Sequence, residues 1–135
     1  MSTSSYSDIA LRLSVLEDRF AVCRLEPDSE VPSWAAEAEF FSVTYTPSEL
    51  SIVCTEQNVP EEVRREDGWR ALGIEGPLDF SLIGILASIV TPLAEASVSI
   101  FATSTYNTDY VLVREDQLDL ALAALRDHGH EIIKT

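Results

Sequence analysis

The chain has 135 residues, 46% of them hydrophobic, and a formal charge of -14 from 23 acidic against 9 basic side chains. That composition belongs to a folded chain rather than a disordered one, and the length suits one ordinary domain or two small modules that lean on each other. The charge opposes nucleic acid and anionic lipid at long range, and no basic cluster offsets it, because Arg64 and Arg65 sit among Glu61, Glu62, Glu66 and Asp67.

Residues 1–7 are Ser-rich and lack the basic and apolar segments of a secretory signal, so a reducing cytoplasm is the expected setting. Ile9 to Leu16 and Phe20 to Leu25 are rich in branched and aromatic residues and predict a hairpin turned at Glu17-Asp18-Arg19. Pro27 and Pro32 bracket a break, after which Ser33 is expected to cap a short helical turn through Glu37. Two strands follow, Phe40 to Thr46 and Leu50 to Thr55, separated by Pro47-Ser48-Glu49. The alternation of Phe41, Val43 and Tyr45, then of Leu50, Ile52 and Cys54, predicts a buried face on each. Cys23 and Cys54 fall in strand-like runs and form no CxxC pair, so they read as buried thiols acting as small hydrophobes. Pro60 followed by Glu61 and Glu62 predicts a short helix through Arg65, ended by Gly68.

From Trp69 the pattern is regular. It predicts a strand Trp69 to Glu75, a turn at Gly76-Pro77, a helix near Ser81 to Glu95 capped by Asp79, and strands Ser97 to Thr103 and Asp109 to Arg114. A helix Asp116 to His128 and a strand Glu131 to Lys134 complete it. Leu118, Ala121, Leu122 and Leu125 form one apolar stripe on the second helix, and Gly129 stands where a C-terminal cap belongs. The uncharged run Phe80 to Ala94 contains Pro92 and is shorter than the roughly 20 residues that cross a bilayer, so it reads as a buried core helix. The order is βαββαβ, an α+β pattern that folds most simply as a ferredoxin-like, four-stranded antiparallel sheet with both helices on one face.

Signs of catalysis are few. No G-x-S-x-G, P-loop or G-x-G-x-x-G appears, and HGHE at 128–131 supplies too few ligands for a tetrahedral metal site. Glu115, Asp116 and Asp119 suit the first turn of the second helix. The hydroxyl-rich Ser104 to Thr108, ending in Asp109, is longer than a strand connection needs. Asp109 reads either as the acceptor for an ammonium or guanidinium group or as a turn residue bonded to local backbone. Gly84, placed in the first turn of the helix, reads either as a close approach of ligand to backbone or as close packing on a strand. Thr105 and Ser51 offer small polar groups and Tyr106 an aromatic cover, or all three are ordinary sheet and turn material.

The stretch GPLDFSLIGILASIVTPLAEASVSIFATSTYNTDYVLV, residues 76–113, resembles the small-molecule-binding ACT domain, in the branch that includes the animal cytosolic arginine sensor and short bacterial ACT proteins. FFSVTYTPSELSIVCTEQNVP, residues 40–60, resembles the segment that precedes that domain in the same branch. The resemblance implies two ACT-like modules packed side by side: residues 1–66 as a degenerate N-terminal module and 67–135 as the C-terminal ACT domain. It implies a free amino acid held at their interface by Ser51, Ile52, Gly84, Ile85, Thr105, Tyr106 and Asp109, positions that hold mainly the part common to all amino acids. The implied protein is a non-enzymatic regulator or sensor without cofactor or metal, whose partners are that amino acid and either a second copy or a regulated protein. The alternative is an interaction or oligomerisation module without a ligand, or a subunit attached to a metabolic enzyme.

Overall fold

The computed structural model describes residues 9–75 and 84–134. They group into two compact units, one made of the residues up to Glu17 together with those from Arg70 onward, the other of Asp18–Trp69. Two long strands, β1 (Arg12–Leu25) and β4 (Arg64–Ile74), contribute residues to both.

In the unit Asp18–Trp69, β2 (Ser42–Thr46) and β3 (Glu49–Thr55) form a tight hairpin whose closing pair is Thr46 and Glu49. The strand order is β2-β3-β1-β4. Leu50, Ile52 and Cys54 of β3 are buried with Ala21 and Cys23 of β1, as their alternation predicts, under Ala35 from the 3-10 turn Ser33–Ala36. Phe41, Val43 and Tyr45 correct the reading for β2: they are 40%, 37% and 65% exposed. Register places Val43 opposite Ile52 and Tyr45 opposite Leu50, so they continue the core face, but β2 is the outermost strand and the 3-10 turn packs over β3.

Three further expectations for this region are corrected. The predicted hairpin at Glu17-Asp18-Arg19 is absent, because β1 is one continuous strand. Its charged triplet is tolerated there since Thr55 donates its hydroxyl to Asp18 at 3.4 Å and Arg19 pairs with Glu56 at 3.5 Å. Ser33 opens the 3-10 turn instead of capping it; Pro32 holds the cap position. No helix follows Pro60. The Val63 N–H donates to the Pro60 carbonyl in a turn, Arg65 donates to the same carbonyl at 2.7 Å, and β4 starts at Arg64. Gly68 lies within β4 at φ +85°, where its N–H donates to the Glu56 carboxylate.

From β4 onward the order is β4, α1 (Ile85–Glu95), β5 (Ile100–Ser104), β6 (Asp109–Arg114), α2 (Leu118–Asp127) and β7 (Glu131–Lys134), the predicted βαββαβ. Ile85, Ile89 and Leu93 of α1 and Ala121, Leu122 and Leu125 of α2 share one cluster with Leu72 and Ile74 of β4 and Val111 and Val113 of β6, so both helices cover one face. The predicted four strands gain a fifth. The first residues of β1 pair with β4 on one side and, in parallel, with β7 on the other, adding Leu13 and Val15 to the core. The observed β6 and β7 coincide with their predicted ranges. The expected turn at Gly76-Pro77, the cap at Asp79 and the helix start near Ser81 lie outside the described residues.

The end of α2 shows why Gly129 is needed. The His130 N–H reaches back to the Leu125 carbonyl and the Gly129 N–H to that of Arg126, a closure that requires the left-handed backbone Gly129 adopts at φ +102°.

Candidate functional site

Helix α1 opens on Gly84, whose φ of +81° is left-handed and which brings no capping side chain. Gly84 is thus the residue before the helix, not a first-turn residue as expected, and its conformation is one that glycine adopts without strain. The first intrahelical bond is Ser88 N–H to the Gly84 carbonyl at 2.9 Å. The amides of Ile85, Leu86 and Ala87 precede it and have no acceptor inside the helix, and the macrodipole adds partial positive charge at that end. The Ile85 side chain belongs to the core, so what Ile85 presents at this end is its backbone.

The other predicted residues of this unit sit in the β5–β6 hairpin. Ser104 and Asp109 are its last register pair, and the Ser104 hydroxyl donates to the Asp109 carboxylate. The four residues between them close on themselves. Thr105 N–H donates to the Thr108 carbonyl at 2.7 Å, and Thr108 N–H donates to the Thr105 hydroxyl at 3.2 Å. The Thr108 hydroxyl donates to the Ile74 carbonyl at 2.6 Å and ties the turn to the end of β4. Tyr106 stands at the tip, 82% exposed. Thr105, Tyr106 and Asp109 therefore share one turn, and Gly84 and Ile85 share the head of α1. The Asp109 side chain meets the Ser104 hydroxyl across the strand pair, where its turn reading placed local backbone, and keeps further acceptor capacity as a carboxylate.

Ser51 and Ile52 lie on β3, between β1 and β2. They point to opposite faces: Ile52 is fully buried in the core of its unit, and Ser51 stands on the other face opposite Thr44 and Arg24. Ser51 can offer a hydroxyl; the Ile52 side chain is spent on packing.

Two buried groups acquire their roles from the fold. Cys23 and Cys54 occupy diagonal positions on the core face of the β1–β3 pair, both as free thiols. The Cys54 thiol donates toward the Cys23 sulfur, which holds Cys23 below the ordinary thiol value and pushes Cys54 above it. His130 is 4% exposed, and backbone groups meet both of its ring nitrogens: Leu11 N–H donates to its Nδ1 at 3.1 Å, and its Nε2 lies 2.9 Å from the Ser88 carbonyl. Since Nδ1 accepts, the ring proton resides on Nε2 and is donated to Ser88. Burial lowers the His130 pKa below 6.5, aided by the neighbouring His128 ring and opposed by the bond to Ser88. Sequence reasoning missed Ser104 and Thr108, whose hydroxyls shape the turn, and the only signal available was their density in the Ser104 to Thr108 run.

Among the described residues no group of three or more His, Cys, Asp or Glu side chains is arranged to hold a metal ion, and no helix is long and apolar enough to cross a membrane. A cleft of about 290 Å³ lies between the C-terminal turns of α1 and α2, lined by Pro92, Glu95, Ala96, Ala124, Asp127 and His128. None of the predicted site residues borders it.

Comparison with known proteins adds the following. The family model described as ACT domain matches residues 64–127, and a second model, described only as an N-terminal domain, matches residues 18–62. The cattle (Bos taurus) protein named cytosolic arginine sensor for mTORC1 subunit 1 is 33% identical over 98 residues, covering 64% of this chain and 30% of the relative. The chain thus spans under a third of the length of that relative. A solved protein of Agrobacterium tumefaciens is 33% identical with a TM-score of 0.89, over 94% of this chain and 95% of that one. The ligand-free regulatory subunit of aspartate kinase from Thermus thermophilus shares the fold at 14% identity and a TM-score of 0.58, over 86% of this chain and 95% of that one.

Proposed function

Because the chain belongs to the ACT-domain family, we propose that it is a regulatory or sensory protein, not an enzyme, and that it binds a free amino acid. The name of the cattle relative, an arginine sensor, and the regulatory role named for the aspartate kinase subunit support that class of ligand and of task. The word cytosolic in the relative's name favours a cytoplasmic setting.

The observation that carries the reading is the head of α1, where Gly84 brings no capping side chain and the first amides have no acceptor inside the helix. In the proposed complex the carboxylate of the amino acid accepts from the backbone amide of Ile85 and approaches the chain closely at Gly84. Its ammonium, or a guanidinium at the far end of its side chain, donates to Asp109. Thr105 supplies a backbone or hydroxyl contact and Tyr106 covers the aliphatic part of the ligand. Ligand binding regulates only as far as it favours one state of the protein over another, so the regulated step is an altered contact with a second copy or a target protein.

Isothermal titration of the chain with arginine, lysine and neutral amino acids tests the assignment of Asp109. For a cationic ligand, Asp109→Asn is expected to weaken binding by about tenfold or more, since a charge-assisted hydrogen bond contributes about 1.5–3 kcal/mol, with the melting temperature unchanged. Equal affinity in the variant rejects Asp109 as the charge partner.

A further inference from the structure

Helices α1 and α2 each end on a carboxylate that opposes the helix dipole. Glu95 is the last residue of α1 and Asp127 the last of α2. The C-terminal end of a helix carries partial negative charge, so an acid there is unfavourable and a base is the ordinary occupant. The last turn of α1 holds no basic residue, and its carbonyls already accept from the amides of Ala96, Ser97 and Val98. Glu95 therefore does nothing for the end of its own helix. Both acids are exposed, and neither has a hydrogen bond or ion pair among the described residues.

The two acids meet in one place. They line the cleft of about 290 Å³ between the helices, with Pro92, Ala96 and Ala124 as its apolar wall and His128 beside them. The His128 Nε2 has no surface open to water and no hydrogen-bond partner among the described residues, a condition that polar atoms in folded chains rarely keep. Its ring stands beside that of His130, with centroids 5.6 Å apart, but both nitrogens of His130 are taken by Leu11 and Ser88.

The lining selects a ligand by its chemistry. Two carboxylates call for a cation, and an imidazole Nε2 accepts a hydrogen bond in the tautomer with its proton on Nδ1. A primary ammonium has three N–H donors, one for each of these acceptors. The proline and alanine wall suits a methylene chain. No Lys or Arg lines the cleft, so a carboxylate on the ligand would meet only repulsion from Glu95 and Asp127. That disfavours amino acids and leaves amines without an acid group. A metal ion fits poorly, because these side chains are not arranged to ligate one.

We propose that the cleft between α1 and α2 binds a small aliphatic amine that carries no carboxylate. Its ammonium is held by Glu95, Asp127 and His128, and its methylene chain lies against Pro92, Ala96 and Ala124. None of the residues assigned to the amino acid lines this cleft, so the two sites are tested independently.

Nuclear magnetic resonance titration of the full chain with 1,4-diaminobutane tests it, at about 0.15 M salt to screen the general attraction of a chain at -14. Saturable amide shifts are expected at Ala96, Ala124 and His128. The analogue 4-aminobutanoate, which keeps the amine and adds an acid, is expected to bind about tenfold more weakly. Glu95→Gln and Asp127→Asn are each expected to weaken binding by about two- to fivefold, as exposed charge pairs do, while Asp119→Asn at the head of α2 leaves it unchanged. Without amine, Glu95→Gln is expected to raise the melting temperature, because it removes a charge set against the dipole. No saturable shift at the cleft up to millimolar amine, shifts spread over acidic residues in general, or equal affinity in the Glu95→Gln/Asp127→Asn double variant each overturns the proposal.

Discussion

The imidazole of His130 completes helix α1 at the point where Pro92 interrupts it. The carbonyl of Ser88 is the one that an N–H four residues on would normally satisfy, but that residue is Pro92, which has none; His130 Nε2 donates to it instead at 2.9 Å. The other ring nitrogen accepts from Leu11 N–H, so one buried side chain ties α1, the segment leading into β1 and the start of β7 together.

That arrangement predicts acid sensitivity of a definite sign. The folded His130 has a pKa below 6.5, so as pH falls under 6.5 the unfolded chain takes up a proton that the folded one refuses. The stability contributed by His130 is therefore complete above pH 6.5 and is lost progressively as pH falls through the lowered folded value. His130→Phe is expected to cost about 1–3 kcal/mol at neutral pH by orphaning the Ser88 carbonyl, and to flatten this part of the pH profile. Urea denaturation from pH 7.5 to 5 on both proteins checks it; parallel profiles contradict the assignment.

None of this was legible in the sequence, because the partners of His130 lie 119 and 42 residues away. What could be read were features with a local cause: the stripe on α2, the capping role of Gly129, the limits of β6 and β7, and the βαββαβ order. The errors arose where local chemistry has two outcomes. A charged triplet such as Glu17-Asp18-Arg19 ends a strand unless Thr55 and Glu56 are there to answer it, and Pro60 with two glutamates opens a helix or a turn with equal ease. Of the candidate site, the grouping of Thr105, Tyr106 and Asp109 followed from adjacency and the core position of Ile52 from strand alternation, while the left-handed Gly84 required the fold.

Gly73 permits a close approach that the sequence did not announce. A Cβ added there would lie 3.0 Å from the edge of the Tyr110 ring and 3.4 Å from the Ser14 hydroxyl. Gly73→Ala is expected to destabilise by about 1–3 kcal/mol through overpacking, and by less when Tyr110→Leu removes the ring edge. Denaturant midpoints of the two single variants and the double variant measure the coupling; strictly additive costs refute the contact.

Gly84 carries the turn into α1. Any residue with a Cβ strains the left-handed backbone at φ +81°, so Gly84→Ala is expected to lower stability by about 1–2 kcal/mol. Thermal denaturation followed by circular dichroism reads the loss. An unchanged melting temperature would show that the helix can start without that conformation.

The claim on which the functional account rests is that a free amino acid binds, and a thermal-shift panel of the twenty common amino acids meets it most directly. The account predicts that at least one, present at about 100 times its dissociation constant, adds about 2.7 kcal/mol of stability and raises the melting temperature accordingly. A folded chain whose melting temperature none of the twenty moves, at millimolar concentration, would contradict it.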